Sequence, residues 1–169
     1  MSGVIFETVH GSRLYQLAHA NSDHDVFRVT TTTRRRTRHG QRGGEDVCEV
    51  GIGLFIERAL SGSHQSVEAL FRPVNVWHDE RFRALIEGSR VCGSSVFEKY
   101  ERTIRKFAFG DFKRRRHACR LAMNLADLRA YGRFNPVMTH DQVMQATAAA
   151  DRYEGDALLA HLFDKEDDG

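Results

Sequence analysis

Residues 10–26 read HGSRLYQLAHANSDHDV, and they place Gly11 and Ser12 shortly ahead of two aspartates, Asp23 and Asp25. Alternate side chains of an extended strand point to the same face, so the two aspartates are expected to project side by side. Neighbouring carboxylates repel each other unless a cation lies between them, and oxygen ligands of this kind favour Mg²⁺ or Mn²⁺. An ordinary surface turn is the competing interpretation, because Asn, Ser and Asp are common turn residues.

The elements on either side of this pair favour the metal site. Residues 3–9 predict a strand, residues 13–20 a short helix and residues 25–30 a second strand. Backbone N–H groups at a helix N-terminus attract phosphate, and a glycine there lets the phosphate approach closely. The order of strand, Gly-Ser, helix and paired aspartates therefore suits a nucleotide's phosphates together with a metal.

This order resembles the nucleotidyltransferases of the DNA polymerase beta superfamily, whose signature is a Gly-Ser or Gly-Gly pair followed after a short segment by Asp-x-Asp or Asp-x-Glu. The segment is also similar to a branch of predicted bacterial and phage nucleotidyltransferases with the pattern GSRxYGLAxxxSDxDVRGV. The matching residues are Gly11, Ser12, Arg13, Tyr15, Leu17, Ala18, Ser22, Asp23, Asp25, Val26, Arg28 and Val29. Gln16 stands where that pattern has Gly. Residues 55–71 and 117–132 are similar to later blocks of the same branch.

The resemblance implies transfer of a nucleoside monophosphate from a nucleoside triphosphate, for example ATP, to an acceptor hydroxyl, with release of pyrophosphate. It implies that Asp23 and Asp25 are catalytic and hold two Mg²⁺ or Mn²⁺ ions. The implied nucleotide-binding residues are Gly11, Ser12 and Arg13, with Arg28 as an additional candidate. The acceptor stays open among an RNA end, a protein hydroxyl and a small molecule.

The superfamily usually adds a third carboxylate from a nearby strand, and three acids stand in the corresponding part of this chain. Glu45, Asp46 and Glu49 lie between the arginine-rich segment and the next apolar stretch. Asp46 fits best by order in the chain and is expected to be catalytic and to bind metal. Glu49 is the alternative, although an acid is also favoured at a helix N-terminus by the helix dipole.

Two further features have both a functional and a structural interpretation. His117 is a candidate contact for the triphosphate or base, and a half-buried structural histidine is the competing interpretation. Residues 28–42, RVTTTTRRRTRHGQR, contain six arginines and no acid. Residues 30–33 have high strand propensity, so the segment predicts a strand that runs into a basic hairpin loop closed near Gly43-Gly44. This hairpin either contacts a triphosphate or RNA, or is simply solvated.

The fold class expected from these patterns is α+β, with a small mixed β-sheet nucleotidyltransferase core followed by a helical C-terminal region. Residues 1–78 are expected to form the core and residues 79–169 the helical region, packed together as one compact unit. Capping-box patterns at Ser95 and Thr139 predict two helix starts, and Gly132 predicts a helix end.

Composition excludes several other classes. The net charge is only +2, and the three cysteines lack C-x-x-C spacing, so neither a zinc site nor a disulfide framework is indicated. No apolar run reaches the roughly eighteen residues that a membrane helix needs, which leads us to expect no membrane contact and a cytoplasmic location. The pattern does not indicate an oligomeric state. A non-catalytic nucleotide- or RNA-binding module, or a toxin-antitoxin partner that retains the fold, is the alternative function.

Overall fold

The two strands predicted around the Gly-Ser pair both form. In the computed structural model, which describes residues 3–17, 23–72 and 75–163, the first is Val4–His10 (β1) and the second is Asp25–Thr30 (β2). The predicted basic hairpin loop is confirmed only at its closing glycines, because β2 already ends at Thr30 and residues 38–42 of the expected loop form a strand of the hairpin. Its strands are Arg38–Arg42 (β3) and Glu45–Gly51 (β4), and Gly43 and Gly44 both adopt positive φ between them.

The remaining elements of the described ranges are a short final strand and a series of helices. They are Ile52–Leu60 (α2), His64–Phe71 (α3), Val76–Trp77 (β5), a 3₁₀ turn at Glu80–Phe82, Arg83–Glu87 (α4), Ser94–Ala108 (α5), Phe112–Tyr131 (α6), His140–Arg152 (α7) and Gly155–Phe163 (α8). The first helix, α1, is Gly11–Leu14.

The strands form one five-stranded mixed sheet with the order β3-β4-β2-β1-β5. Strands β2 and β4 run parallel, whereas β1 pairs antiparallel with β2 and β5, and β3 pairs antiparallel with β4. The predicted α+β class with a small mixed sheet is therefore confirmed.

An aromatic core joins α2 to one face of this sheet. The ring of Phe55 lies 5.6 Å from that of Phe6 on β1 and 6.1 Å from that of Phe27 on β2, measured between centroids. All three side chains are buried, and aromatic pairs at this spacing add to the stabilisation from burial alone. The core therefore fixes β1 and β2, the two strands that flank the Gly-Ser pair, against a common helix.

The chain divides into two compact units. The first, here called the sheet unit, is Met1–Val91 with Asn135–Val137; the second, the helical unit, is Cys92–Phe134 with Met138–Gly169. The sheet unit thus extends past the expected boundary at residue 78, because α4 packs on α3. Over the residues that the structure describes, no helix combines the length and apolar character needed to cross a membrane.

Three helix boundaries test the capping predictions. The Thr139 capping box forms, with its hydroxyl accepting from the N–H of Gln142, and Gly132 ends α6 in the left-handed conformation. The Ser95 capping box is wrong. Helix α5 already begins at Ser94, and its cap residue, Gly93, has no side chain to accept a bond. The helix starts two residues earlier than predicted, so Ser95 lies inside the first turn.

The helix predicted over residues 13–20 is also different in the structure. It begins at Gly11 and ends at Leu14, so that it is only one turn long. Gln16, two residues beyond this end, has φ of 59°, which an α-helix cannot contain. Residues 18–20 lie outside the described part of the chain.

Candidate active site

Asp25 and Asp46 are direct neighbours at the start of two parallel strands. They are register partners in the pairing of β2 with β4, and side chains of paired residues in a sheet point to the same face. Adjacent strands are about 4.8 Å apart. The N–H of Asp46 donates to the carbonyl of His24 at 3.0 Å, and His24 Nδ1 lies 2.7 Å from Glu45 Oε1. These two contacts hold the starts of β2 and β4 together beside the carboxylates.

Gly11 lies directly against one of these carboxylates. Strand β1 ends with His10 opposite Asp25, and Gly11 follows with φ of 66°. A Cβ atom built on Gly11 would overlap Oδ2 of Asp25 and would lie 3.2 Å from its carboxyl carbon. Only glycine satisfies both the left-handed backbone and this close approach. The Gly-Ser turn and the acidic strand are therefore fitted to each other.

Ser12 and Arg13 continue the turn toward the segment that precedes β2. The carbonyl of Ser12 accepts from the N–H of Leu17 at 2.9 Å. The guanidinium of Arg13 donates from Nε to the backbone carbonyl of Asp23 at 3.2 Å. Arg13 thus ties the turn to the start of the acidic segment and lies on the Asp23 side of it.

Asp23 itself lies ahead of β2 and not on it. The strand begins at Asp25, and Asp23 is exposed in irregular structure. The expectation that Asp23 and Asp25 alternate along one strand is therefore wrong, because the paired strand begins only at Asp25. Any approach of the two carboxylates depends on the conformation of the residues before the strand, and not on strand periodicity.

The pair formed by Asp25 and Asp46 suits a magnesium ion that is bound together with substrate. Mg²⁺ usually takes one or two protein carboxylates, and phosphate oxygens and waters complete its coordination. Within the described ranges, no three Asp, Glu, His or Cys side chains converge into a metal cluster. Asp25 and Asp46, two neighbouring carboxylates beside a glycine turn, are consistent with a site of the kind that shares its Mg²⁺ with substrate phosphates.

Glu49 and Arg28 lie on the face of the sheet opposite to that of Asp25 and Asp46. Glu49 is three residues after Asp46 on β4, so its side chain points the other way. Its register partners are Arg28 on β2 and Arg38 on β3, and Arg28 in turn pairs with Glu7, at 2.7 Å from Nε to Oε1. Arginines and glutamates thus alternate across four strands, an arrangement that favours the pairing of neighbouring strands.

A buried polar group behind the Gly-Ser turn was not predicted as part of the site. The Tyr15 hydroxyl donates to the fully buried carboxylate of Glu68 on α3, and His10 Nε2 lies 3.9 Å from the same carboxylate oxygen. Arg72, at the end of α3, donates to the carbonyl of Val9 at 2.8 Å. Helix α3 therefore holds both sides of the turn. The available signal was an acid inside an apolar run, VEALF.

His117 lies on α6 in the helical unit and is half-buried. This degree of burial is typical of a structural histidine as well as of a ligand-binding one.

No family model matches the chain, and no curated protein matches it.

Proposed function

We propose that this protein is a metal-dependent nucleotidyltransferase, which moves a nucleoside monophosphate from a nucleoside triphosphate to an acceptor hydroxyl and releases pyrophosphate. One observation carries the proposal. Asp25 and Asp46 are register partners on parallel strands, with Gly11 packed against the Asp25 carboxylate. Two adjacent carboxylates beside a glycine turn are suited to a metal ion and the phosphates of its substrate.

The reaction is an in-line substitution at the α-phosphorus of the triphosphate. The acceptor oxygen forms a bond to this phosphorus, the bond to the bridging oxygen breaks, and pyrophosphate leaves with the electron pair. Bound Mg²⁺ or Mn²⁺ would neutralise charge on the phosphates and activate the acceptor hydroxyl. A triphosphate supply of this kind agrees with a cytoplasmic location.

The residues of the chain divide this work between them. Asp25 and Asp46 would hold metal, with Asp23 joining them from the segment ahead of β2. Asp46 is exposed, so its carboxylate is accessible to take the proton of the acceptor hydroxyl. The backbone at Gly11 and the hydroxyl of Ser12 would bind the terminal phosphates, and positioning of this kind is the main source of rate enhancement in phosphoryl transfer.

The test is incubation of the full chain with each α-labelled nucleoside triphosphate and Mg²⁺ or Mn²⁺, with and without cellular RNA. Pyrophosphate release and a labelled product are the expected results. Asp25→Asn and Asp46→Asn should each lower the rate by at least about a hundredfold, since each removes a metal ligand. Glu49→Gln is the matched control on the opposite face of β4, and it should keep the rate within a few-fold.

Other outcomes would favour the alternative functions. Nucleotide or RNA binding without pyrophosphate release or labelled product under any condition would indicate a non-catalytic binding module. A stable complex with a co-encoded protein, again without transfer, would indicate a toxin-antitoxin partner. Equal losses of rate in Glu49→Gln and Asp46→Asn would contradict the assignment of Asp46. Activity would then depend equally on both faces of β4, and not on the face that Asp46 shares with Asp25.

A further inference from the structure

The segment between β2 and β4 carries an unusual excess of positive charge. Residues 31–44 contain five arginines and no acid, in a chain whose net charge is only +2. Arg35 forms an ion pair with Glu57, at 2.6 Å between Nη2 and Oε2. The other four are exposed: Arg34, Arg36, Arg38 and Arg42. Arg38 and Arg42 have glutamates, Glu49 and Glu45, as register partners, but in the part of the chain that the structure describes none of the four arginines lies within ion-pair distance of a carboxylate.

Two of these arginines, Arg38 and Arg42, lie on one exposed edge of the sheet. Strand β3 is the first strand in the sheet order, and all five of its residues are exposed. A strand rises about 3.4 Å per residue, so Arg38 and Arg42 are separated by about 13 Å along the edge. A shallow cavity of about 260 Å³ lies beside it and is lined by both arginines as well as by Arg28 and Glu49. Charge spread over this length suits successive phosphates of an extended chain.

The β3 edge is close to the proposed active site, but Arg38 and Arg42 point to the opposite face of the sheet, because Arg38 is the register partner of Glu49. Gln41 on β3 is the register partner of Asp46, which is itself the partner of Asp25. Two strand spacings, about 10 Å, therefore separate β3 from the β2 carboxylate. A strand of nucleic acid bound by Arg38 and Arg42 would lie on the Glu49 face, so its end would have to pass around the exposed β3 edge to reach the paired carboxylates.

Protection of an edge strand explains only part of this charge. Charged side chains on an exposed edge prevent pairing with another chain, which accounts for Arg38 and Arg42. It does not account for Arg34 and Arg36, which lie before the strand begins. Arginine binds phosphate oxygens through a planar fork of donors, and that chemistry applies to all four side chains.

We propose that the arginine edge, defined as Arg34, Arg36, Arg38 and Arg42, binds the phosphodiester backbone of a single-stranded nucleic acid. The further step, in which a terminal hydroxyl of this strand is the acceptor, rests on the proposed nucleotidyl transfer. Binding itself does not depend on transfer, so the two can be tested separately.

Binding of fluorescently labelled single-stranded RNA and DNA of the same mixed sequence, followed by anisotropy at several salt concentrations, tests the edge. The triple variant R36Q/R38Q/R42Q should bind at least about tenfold more weakly. For this variant, the slope of log K against log salt should be smaller in magnitude by about 2. Each lost phosphate contact removes about 0.7 from the slope for a single strand. Comparison of the two probes shows whether RNA or DNA is preferred.

The matched control is K99Q/R102Q/K106Q, which also removes three positive charges, but from exposed positions on α5. It should keep nearly all of the affinity. Equal weakening in both triple variants, or no binding of either probe at low salt, would overturn the arginine edge. Asp25→Asn should bind the strand normally. Normal strand binding without transfer to it from any nucleotide would refute the proposed reaction and leave the binding surface intact.

Discussion

The backbone of Gly11 and the carboxylate of Asp25 occupy space that no side chain at position 11 can share, since a Cβ there would overlap Oδ2. The φ of 66° at Gly11 adds a second requirement for glycine. The two effects act together at the point where β1 passes into α1, directly beside the proposed metal ligand.

Gly11→Ala is therefore expected to destabilise the protein by about 2 to 3 kcal/mol and to displace Asp25. Thermal unfolding measures the first effect and metal-dependent activity the second. Gly43→Ala is the matched control, because Gly43 has φ of 62° with no atom within 4 Å of its Cβ position. Gly43→Ala should lower the free energy of unfolding only by the cost of the left-handed backbone, about 1 kcal/mol. Equal losses in the two variants would mean that the approach of Asp25 is unimportant.

Gln16→Gly is expected to stabilise the protein by about 0.5 to 1 kcal/mol. Gln16 has φ of 59°, a conformation that costs a residue with a side chain about 1 to 2 kcal/mol, part of which the greater freedom of unfolded glycine offsets. Chemical denaturation measures the change. Gln16→Ala keeps the strained backbone, so an increase in stability with alanine as large as with glycine would show that side-chain effects dominate.

Tyr15→Phe is expected to cost about 2 to 3 kcal/mol, because it leaves the buried Glu68 carboxylate without its hydroxyl donor. Glu68→Gln keeps an acceptor in place and should cost less. The double variant should lose less than the sum of the single losses, since the residues are in contact. Additive losses in this cycle of unfolding free energies would contradict a direct bond between them.

The three thiols are expected to react with iodoacetamide in a fixed order, which peptide mass spectrometry can follow. Cys92 is exposed and should react first. Burial raises the pKa of Cys48, although nearby Arg58 partly opposes this, and burial raises the pKa of Cys119 to about 11. Thiolate is the reactive form, so Cys119 should react last. In denaturant the three rates should converge, and modification of Cys119 before Cys92 in the native protein would contradict its burial.

Stability should also fall in mild alkali because of Cys119. Its pKa is raised in the folded protein, so the unfolded chain loses the proton first. The resulting stabilisation is complete below the unfolded pKa, about 8.5, and is lost as the pH rises toward about 11. Cys119→Ala should therefore show a smaller drop in melting temperature over this range than wild type. Cys92→Ala is the control, and its drop should match that of wild type.

Local sequence patterns predicted much of the fold. Strand β2 has the predicted bounds because its apolar residues are bordered by polar ones, and the β3-β4 hairpin follows from two glycines that tolerate positive φ. The short α1 could not be predicted, since nothing in the identity of Gln16 reveals its left-handed backbone. The Ser95 capping box failed because Gly93, two residues before Ser95, is the cap of α5.

The candidate site was predicted as a set of residue types more than as a geometry. Asp25 and Asp46 become neighbours only through the parallel pairing of β2 and β4, a contact between strands that chain order does not specify. The same pairing separates Glu49 from them. The buried link from Tyr15 to Glu68 spans 53 residues, and such a distant contact leaves only one local trace, an acid among apolar neighbours.

The pairing of β2 with β4 also makes the proposed site more sensitive to insertions and deletions than to many substitutions. A residue added among positions 31–37, where the chain lies between strands, would lengthen a loop and leave Asp46 beside Asp25. A residue added within β4 just before Asp46 would turn its carboxylate to the opposite face, where Glu49 now lies. Every acid would still be present in such a sequence, yet the pair would be lost, so homologues of this chain should be compared by strand phase as well as by residue identity.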